Sequence, residues 1–226
     1  MTTAIIVAAG RGKRLGANYD KAFLSIGSKP MVAYSMLAFE ASPEVNQIVL
    51  VVRRGRQDAA RGMAQMFGIS KLQEVVVGGA ERQDSVRAGL EATGPEAQFI
   101  TVHDAARPLV TPALIAATIA HARKYGSGVA AQRVVDCIKE ASNKGAIVNR
   151  TLERTGLWLA QTPQTFEASL LRRAYARLAA EGETVLDEAS AVEALGEKVR
   201  LVEWQPPNMK VTVSDDLTAV ARLLNI

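Results

Sequence analysis

A glycine-rich segment with clustered cations follows the first apolar stretch of the chain. The stretch reads Ala4-Ile5-Ile6-Val7-Ala8-Ala9 and runs into Gly10-Arg11-Gly12-Lys13-Arg14-Leu15-Gly16, with Lys21 shortly after. Glycines let backbone N–H groups approach a ligand closely, and arginine and lysine oppose the charge of phosphate oxygens. The segment therefore predicts a site for the polyphosphate of a nucleotide. A simple strand-to-loop turn is the alternative interpretation, and the density of cations makes it the weaker one.

Two well-known phosphate-binding loops do not fit this segment. The Walker pattern requires Gly-Lys-Ser/Thr after its first glycine and four further residues, and the sequence contains no such string. The dinucleotide pattern requires Gly-x-Gly-x-x-Gly and an acidic residue near the end of the second strand. Here the third glycine, Gly16, comes one residue late, and the second predicted strand ends in Arg53-Arg54. The segment therefore belongs to neither class.

A second polar string, His103-Asp104-Ala105-Ala106-Arg107, follows a predicted strand at residues 99–102. A carboxylate such as Asp104 suits a metal ion or a sugar hydroxyl, whereas the guanidinium of Arg107 suits phosphate. An ion pair that only stabilises the loop is an equally good interpretation of this string taken alone.

Four single residues are weaker candidates. Gly79 and Ser85 belong to a glycine turn whose backbone and hydroxyl groups suit a base edge, but an ordinary helix start explains the same turn. Lys210, at a predicted strand end, and Arg154 are cations that could face the same cleft. A solvated surface position is the alternative for both.

Composition excludes several classes of protein. Of the 226 residues, 48% are apolar and 22% charged, which is typical of a soluble globular domain. Aromatic residues make up only 5%, and the net charge of +4 includes no long basic tract, so nucleic-acid binding is not expected. No apolar run approaches the roughly 18 residues of a membrane span. Cys137 is the single cysteine, which excludes an intramolecular disulfide and fits a cytoplasmic location.

The elements that must position these residues alternate between strand and helix. Strands are predicted at residues 4–9, 48–52, 74–77, 99–102, 128–134 and 199–204. Helices are predicted from residue 30, at 57–67, 81–93, 111–126, 166–181 and 187–195, and from 214. This alternation predicts an α/β fold with a Rossmann-like, mostly parallel sheet flanked by helices. Ligands of such sheets bind beyond the carboxyl ends of the strands, so the polar strings are expected to meet there.

The alternation stops at residues 135–156. Two β-rich stretches flank Ser142-Asn143-Lys144-Gly145, which is typical of a hairpin turn. A two-stranded ribbon is not stable alone in water, so we expect this β-arm to pack on a partner subunit. The chain as a whole, residues 1–226 with the arm included, is predicted to be a single domain.

Seven strings occur in a characteristic order. They are Ala8-Ala9-Gly10-x-Gly12-x-Arg14, Lys21, Asp84-Ser85-Val86, His103-Asp104-Ala105-Ala106-Arg107-Pro108, Gln161-Thr162-Pro163-Gln164-x-Phe166, Asp187-Glu188-Ala189-Ser190 and Lys210-Val211-Thr212. Together they resemble the 2-C-methyl-D-erythritol 4-phosphate cytidylyltransferases of the non-mevalonate isoprenoid pathway, over essentially the whole chain. The glycine loop alone indicates only the wider nucleotidyltransferase superfamily.

The resemblance implies a reaction, a fold type and an assembly. The reaction is transfer of CMP from CTP to 2-C-methyl-D-erythritol 4-phosphate with release of pyrophosphate, with Mg²⁺ as the divalent cofactor. The fold is of the nucleotide-diphospho-sugar transferase type. The assembly is a homodimer in which the ribbon reaches the neighbouring active site.

The resemblance also implies roles for individual residues. The catalytic pair, which stabilises charge on the α-phosphate of CTP, is Arg14 and Lys21. Residues that position methylerythritol phosphate are Arg154, Lys210, Arg107 and Thr162. Nucleotide-binding residues are Ala8, Ala9, Gly10, Gly12, Gly79, Ser85 and Asp104, and Asp104 is also the candidate metal ligand.

Two positions depart from the pattern of that family. Asp20 stands where proline commonly precedes the loop lysine and places a carboxylate beside Lys21, and Cys137 stands where threonine is common on the ribbon. Two alternatives stay open: a ribitol-5-phosphate cytidylyltransferase and a non-catalytic nucleotide-binding regulator of the same fold. The Asp187–Ser190 string favours methylerythritol phosphate, and retention of the loop cations favours an enzyme.

Overall fold

The computed structural model describes residues 1–10, 20–142 and 146–226. The strands in these ranges are β1 Thr2–Val7, β2 Ser25–Ile26, β3 Lys29–Pro30, β4 Gln47–Val52, β5 Leu72–Val77, β6 Phe99–Asp104, β7 Ser127–Arg133, β8 Ile138–Ala141, β9 Val148–Leu152, β10 Trp158–Glu167 and β11 Leu201–Glu203. The α-helices are α1 Met31–Ala41, α2 Gln57–Met66, α3 Arg82–Glu91, α4 Pro112–Tyr125, α5 Ala168–Glu181, α6 Glu188–Glu193 and α7 Ser214–Leu223. A 3-10 turn spans Lys21–Phe23.

The central sheet has the strand order β11-β7-β10-β6-β1-β4-β5. Neighbouring strands are parallel except where β10 runs antiparallel to both β6 and β7. The order reverses at β1, which pairs with β4 on one side and β6 on the other. This architecture confirms the predicted α/β fold, and the crevice between the carboxyl ends of β1 and β6 is where such sheets bind ligands.

Helices cover both faces of the sheet, as the near-continuous apolar character of β1 and β4 predicts. On one face, α1 and α4 bury Phe39, Ile115 and Ile119 against the sheet. On the other face, α3, α5 and α6 surround a second core. Helix α3 packs especially close, because a Cβ on Gly89 would lie 2.5 Å from Cγ2 of Ile5. This close approach brings the first turn of α3 to the edge of the crevice.

Strand β10 is the main departure from the predicted elements. The sequence pattern predicts a helix from Phe166, but that residue is in β10, and the helix begins at Ala168. Pro163 obscures this strand, because proline cannot donate a ladder hydrogen bond and argues against a central strand. The sheet accommodates it where the register between β10 and β7 shifts, between Ala160 and Gln164. A smaller correction concerns the second polar string, since β6 extends through Asp104.

The predicted ribbon is present as a two-stranded antiparallel sheet of its own, formed by β8 and β9. Its second strand starts at Val148 and runs later than predicted. Arg150 and Glu140 pair across the two strands with an N–O distance of 2.8 Å. Residues Asn143, Lys144 and Gly145 of the turn lie outside the described residues.

Among the helices in the described ranges, none combines the length and apolarity required to cross a membrane.

Candidate active site

A cavity of about 570 Å³ lies at the carboxyl ends of β1 and β6 and is closed on one side by the first turn of α3. The sheet ladder continues into its wall, because Ala8 N donates to Val51 O over 2.7 Å and Ala105 N donates to Val7 O over 3.0 Å. Eight of the predicted site residues line this cavity. They are Ala8, Ala9, Gly10, Lys21, Gly79, Ser85, Asp104 and Lys210.

Glycines allow three segments to converge on this wall. A Cβ on Gly78 would lie 2.5 Å from the Ala9 Cβ and 2.6 Å from Ser85 Oγ. A Cβ on Gly79 would lie 2.2 Å from the Cβ of Asp84, whose carboxylate accepts a hydrogen bond from Glu81 N. The helix-start interpretation of this turn is therefore correct for its local structure. The same turn also lines the cavity.

Asp104 lies at the centre of a charge network. Its Oδ2 accepts a hydrogen bond from Lys210 Nζ over 2.5 Å, and its Oδ1 accepts one from Arg82 Nε over 2.9 Å. The guanidinium of Arg82 also donates to both oxygens of Glu188, over 2.7 Å and 3.0 Å. Tyr175 donates its hydroxyl to Glu188 Oε1 over 3.1 Å. Two carboxylates and two cations thus balance each other at the cavity wall.

Burial and neighbouring charges shift the pKa values of three members of the network, Asp104, Arg82 and Tyr175. Burial alone would raise the pKa of Asp104, but Arg82 and Lys210 outweigh it and hold that pKa well below its usual range. Burial alone would lower the pKa of Arg82, but Glu188 and Asp104 hold it above its usual range. Burial and the neighbouring Glu188 raise the pKa of Tyr175. Tyr175 therefore stays a neutral hydrogen-bond donor.

Sequence reasoning missed Arg82 and the importance of Glu188. Arg82 lines the cavity at the first position of α3, and Glu188 is fully buried although it opens α6. The string containing Glu188 reads equally well as ordinary first-turn acids. The two residues are 106 positions apart, so no local pattern reveals the pair.

Gln164 connects two of the characteristic strings, the one at residues 161–166 and the one at residues 187–190. Its Nε2 donates to Asp187 Oδ2 over 2.9 Å, and its Oε1 accepts from Ala189 N over 3.0 Å. The side chain of Gln164 is buried in β10, so these bonds attach the start of α6 to the sheet. The attachment places Glu188 where it meets Arg82.

Thr162 and His103 lie behind the cavity wall. Asp104 N donates to Thr162 Oγ1 over 3.1 Å. Burial lowers the pKa of His103 to about 3, so the ring is neutral. Its Nε2 lies 3.2 Å from the carbonyl oxygen of Arg107, which can only accept, so Nε2 carries the proton and Nδ1 accepts from the Thr162 hydroxyl at 3.1 Å. Both side chains therefore fix the end of β6.

Arg107 also lies behind the residues that line the cavity. Its Nη1 donates to Asn208 O over 2.7 Å, and Val211 N donates to Ala106 O over 2.8 Å. These two bonds join the end of β6 to the segment that carries Lys210. The Nε of Arg107 is buried and has no hydrogen-bond partner among the described residues.

The predicted catalytic pair is described only in part. Gly12 and Arg14 lie outside the described residues. Lys21 lines the cavity from the 3-10 turn, and its charge contributes to lowering the pKa of Asp216 at the start of α7, after larger contributions from backbone N–H groups. The carboxylate of Asp20 turns to Arg56, whose Nε donates to its Oδ2 over 2.9 Å.

Arg154 is separate from the cavity of its own chain. It is exposed, and its Nη1 donates to the carbonyl oxygen of Val135 at the base of the ribbon. Cys137 is exposed on the same arm.

A metal ion held by the protein alone does not fit these residues. Within the described ranges, no group of three His, Cys, Asp or Glu side chains is arranged to hold one. Asp104 has each carboxylate oxygen engaged by a cation. It can offer at most one ligand, by exchange, to a metal that arrives with a ligand of its own.

Comparison with known proteins gives a consistent result. The family model described as IspD: 2-C-methyl-D-erythritol 4-phosphate cytidylyltransferase matches residues 2–225. The curated 2-C-methyl-D-erythritol 4-phosphate cytidylyltransferase of Alkaliphilus oremlandii (strain OhILAs) is 38% identical over 224 residues, which cover 99% of this chain and 94% of that protein.

Solved structures agree with this result. The 4-diphosphocytidyl-2C-methyl-D-erythritol synthase of Anaerococcus prevotii DSM 20548 has a TM-score of 0.86 at 26% identity, covering 100% of this chain and 98% of that one. The 2-C-methyl-D-erythritol 4-phosphate cytidylyltransferase of Thermus thermophilus has a TM-score of 0.81 at 29% identity, covering 98% of both chains.

Proposed function

The chain belongs to the 2-C-methyl-D-erythritol 4-phosphate cytidylyltransferase family, and on this premise we propose how its residues transfer CMP from CTP to 2-C-methyl-D-erythritol 4-phosphate. An oxygen of the acceptor phosphate attacks the α-phosphorus of CTP and forms a new P–O bond. The bond from that phosphorus to the bridging oxygen of the β-phosphate breaks, and pyrophosphate leaves with the electron pair. The observation that supports this assignment best is the cavity at the β1–β6 crevice, lined by Lys21, Lys210, Ser85 and Asp104.

The main difficulty of this reaction is bringing two anions together. The acceptor phosphate is already a nucleophile, so no strong general base is required. This agrees with His103, which is neutral, buried and bonded to Thr162 behind the wall. Positioned cations then supply most of the stabilisation, by orienting the reactants and by opposing charge that develops in the transition state.

We assign Arg14 and Lys21 to the α-phosphate, and Lys210 and Arg154 to the acceptor phosphate. Lys210 is ion-paired with Asp104. The acceptor phosphate competes with that carboxylate for the ammonium group. Arg82 keeps Asp104 bonded in the meantime, because it holds the other carboxylate oxygen.

The base and ribose of CTP are assigned to the wall formed by α3 and the β6 end. The Gly79 backbone and the Ser85 hydroxyl face the cytosine, and Asp104 faces the ribose. Arg107 and Thr162 act on the acceptor pocket indirectly, because they fix the segments that carry Lys210 and Asp104.

Mg²⁺ is the proposed cofactor. It prefers oxygen ligands and commonly binds through one carboxylate together with substrate phosphates. Substrate phosphate oxygens and water would supply most of its ligands, and Asp104 is the residue that would contribute one. When bound, Mg²⁺ neutralises part of the triphosphate charge.

The proposed assembly is a cytoplasmic homodimer joined through the ribbon. Large apolar side chains on or beside the ribbon are exposed, namely Val135, Ile147, Val148 and Leu159. Their exposure on or beside a two-stranded sheet with little core of its own supports burial against a second subunit. In that arrangement Arg154 serves the neighbouring cavity.

Pyrophosphate release from CTP tests the assignment. We expect release with 2-C-methyl-D-erythritol 4-phosphate and Mg²⁺, and its loss when the metal is chelated. Ribitol 5-phosphate at the same concentration is the competing acceptor. Faster release with ribitol 5-phosphate would reassign the acceptor, and unchanged release after chelation would remove the metal from the proposal.

A further inference from the structure

Asp20 is a buried acid directly before the 3-10 turn Lys21–Phe23, which bears the proposed catalytic residue Lys21. Its side chain is 3% exposed, and its Oδ2 accepts a hydrogen bond from Arg56 Nε at 2.9 Å. Its Oδ1 is buried and has no hydrogen-bond partner among the described residues. Burial raises the pKa of Asp20, while the charges of Arg56 and Arg53 oppose that rise. Burying a carboxylate in this way is unfavourable unless the charge is paired.

Arg56 contacts the turn at both of its ends. Besides its bond to Asp20, its guanidinium lies 5.7 Å from the ring centroid of Phe23. Lys21 lies between these two contacts, and the turn is closed by Phe23 N donating to Asp20 O over 2.9 Å. One side chain therefore restrains the backbone on both sides of Lys21.

The backbone of Arg56 is held at the start of α2. Arg56 follows β4, an interior strand, and its carbonyl oxygen accepts the first helical hydrogen bond of α2 from Ala60 N at 2.9 Å. The position of Arg56 is thus fixed by elements that pack in the main core. Through the ion pair with Asp20, Arg56 restrains the turn that bears Lys21.

The Asp20 side chain is buried, whereas that of Arg56 is about half exposed. An ion pair of this kind contributes little net stability, but it restricts its two side chains to one relative position. We propose that Asp20 and Arg56 are positioning residues for the reaction, because their ion pair holds the turn in the conformation that directs Lys21 into the cavity. This inference rests on the role proposed for Lys21. Both residues act through Lys21 and touch no reacting atom.

The backbone conformation of Asp20 allows a second way of restraining the turn to be tested, by proline. Its φ is −77° and its ψ is 93°, and this φ lies within the range that a proline ring allows. A proline ring would restrict this position covalently, whereas Asp20 restricts it by an electrostatic contact. Asp20→Pro should therefore make Arg56 dispensable.

Steady-state kinetics of the full-length chain test the inference. We expect Asp20→Asn and Arg56→Gln each to lower kcat by about tenfold or more, and to change the KM for CTP by less than about threefold, because a misdirected Lys21 weakens transition-state interactions. The matched controls are Asp58→Asn and Arg61→Gln, which remove an exposed pair on α2 whose N–O distance is 3.7 Å. Both controls should keep the wild-type kcat.

Two backgrounds separate positioning from a general structural role. In Lys21→Ala, adding Asp20→Asn should lower kcat no further, because the ion pair acts through the missing ammonium group. In Asp20→Pro, adding Arg56→Gln should leave kcat within about twofold, because the ring already fixes φ.

Each contrary result overturns the inference. Wild-type kcat in both Asp20→Asn and Arg56→Gln would do so, and so would an additive loss in the Lys21→Ala background. If Asp20→Asn fails to fold, the Asp20→Pro background decides, and an undiminished loss from Arg56→Gln there would be the contrary outcome. Full activity of Lys21→Ala would remove the catalytic role of Lys21 itself, and would thereby be distinguished from a failure of the ion pair alone.

Discussion

The ammonium group of Lys210 lies 2.5 Å from Oδ2 of Asp104, although both side chains line the cavity and carry different proposed roles. The pair orients the Lys210 ammonium group at the cavity wall. A phosphate that binds Lys210 must compete with this carboxylate for the ammonium group.

Replacement of Lys210 should separate the acceptor from the nucleotide. We expect Lys210→Ala to raise the KM for methylerythritol phosphate by about tenfold or more, since a charged hydrogen bond is worth roughly 1.5–3 kcal/mol. The affinity for CTP with Mg²⁺, measured by calorimetry, should stay within about threefold of wild type, because Lys210 is assigned to the acceptor phosphate and not to CTP. A large loss of CTP affinity would place Lys210 on the triphosphate.

The loop cations should act on the transition state. We expect Arg14→Ala to lower kcat and kcat/KM together by about 100-fold or more, the magnitude for loss of one preorganised donor. Lys21→Ala should behave in the same way. Since Asp20 is paired with Arg56, it offsets less of the Lys21 charge than its adjacency in sequence suggests. A rise in the KM for CTP with unchanged kcat would contradict this role.

Glu188 should be required for stability. Glu188→Gln removes one of the two carboxylates that pair with the Arg82 guanidinium, in a site where Glu188 is fully buried. We expect a loss of about 3 kcal/mol in the free energy of unfolding, the lower end for breaking a buried pair, measured by urea denaturation. Glu193→Gln, at an exposed position of the same helix, is the control and should stay near wild type. Equal stability of the two variants would show that the buried pair contributes nothing.

His103 should make stability depend on pH. Burial lowers its pKa to about 3, whereas an unfolded imidazole titrates near about 6.5. Between these values the unfolded chain binds one more proton than the folded chain, so the free energy of unfolding rises with pH. The contribution approaches about 1.4 kcal/mol per pH unit. Denaturation curves should show this slope in wild type and its reduction in His103→Asn. Parallel pH profiles would rule out the buried neutral imidazole as its source.

Shared active sites should be revealed by mixing variants. Arg14→Ala and Arg154→Ala chains are each expected to be inactive alone, but a heterodimer assembles one cavity that carries both wild-type residues. Random subunit exchange should restore about a quarter of wild-type activity, from the symmetry of the dimer.

The control for this experiment mixes Arg14→Ala with Lys21→Ala chains. Each cavity takes both of these residues from one chain, so every cavity of a heterodimer lacks one of them and no activity should be restored. Absence of recovery with Arg154→Ala after verified exchange would mean that each site is built from one chain.

The sequence predicted the parts of the site that follow local patterns. The apolar run of β1, the glycines after β5 and the acid at the end of β6 each have a local signature, and parallel-sheet geometry brings them together. The Arg82–Glu188 and Asp20–Arg56 pairs have no such signature, because their partners are 106 and 36 positions apart. Strand β10 was missed because Pro163 contradicts the ordinary rule for a central strand.

Strand β10 has a consequence for how this enzyme can change over evolutionary time. The strand begins at Trp158, close to the end of the ribbon, and its middle supplies Thr162 to the backbone of Asp104. A shift of one residue along a strand turns every side chain to the opposite face. Insertions or deletions in the connection from Trp158 to Thr162, within β10, would therefore disturb the cavity. The length of this connection is constrained, so the strand can diversify in side chains but not in spacing.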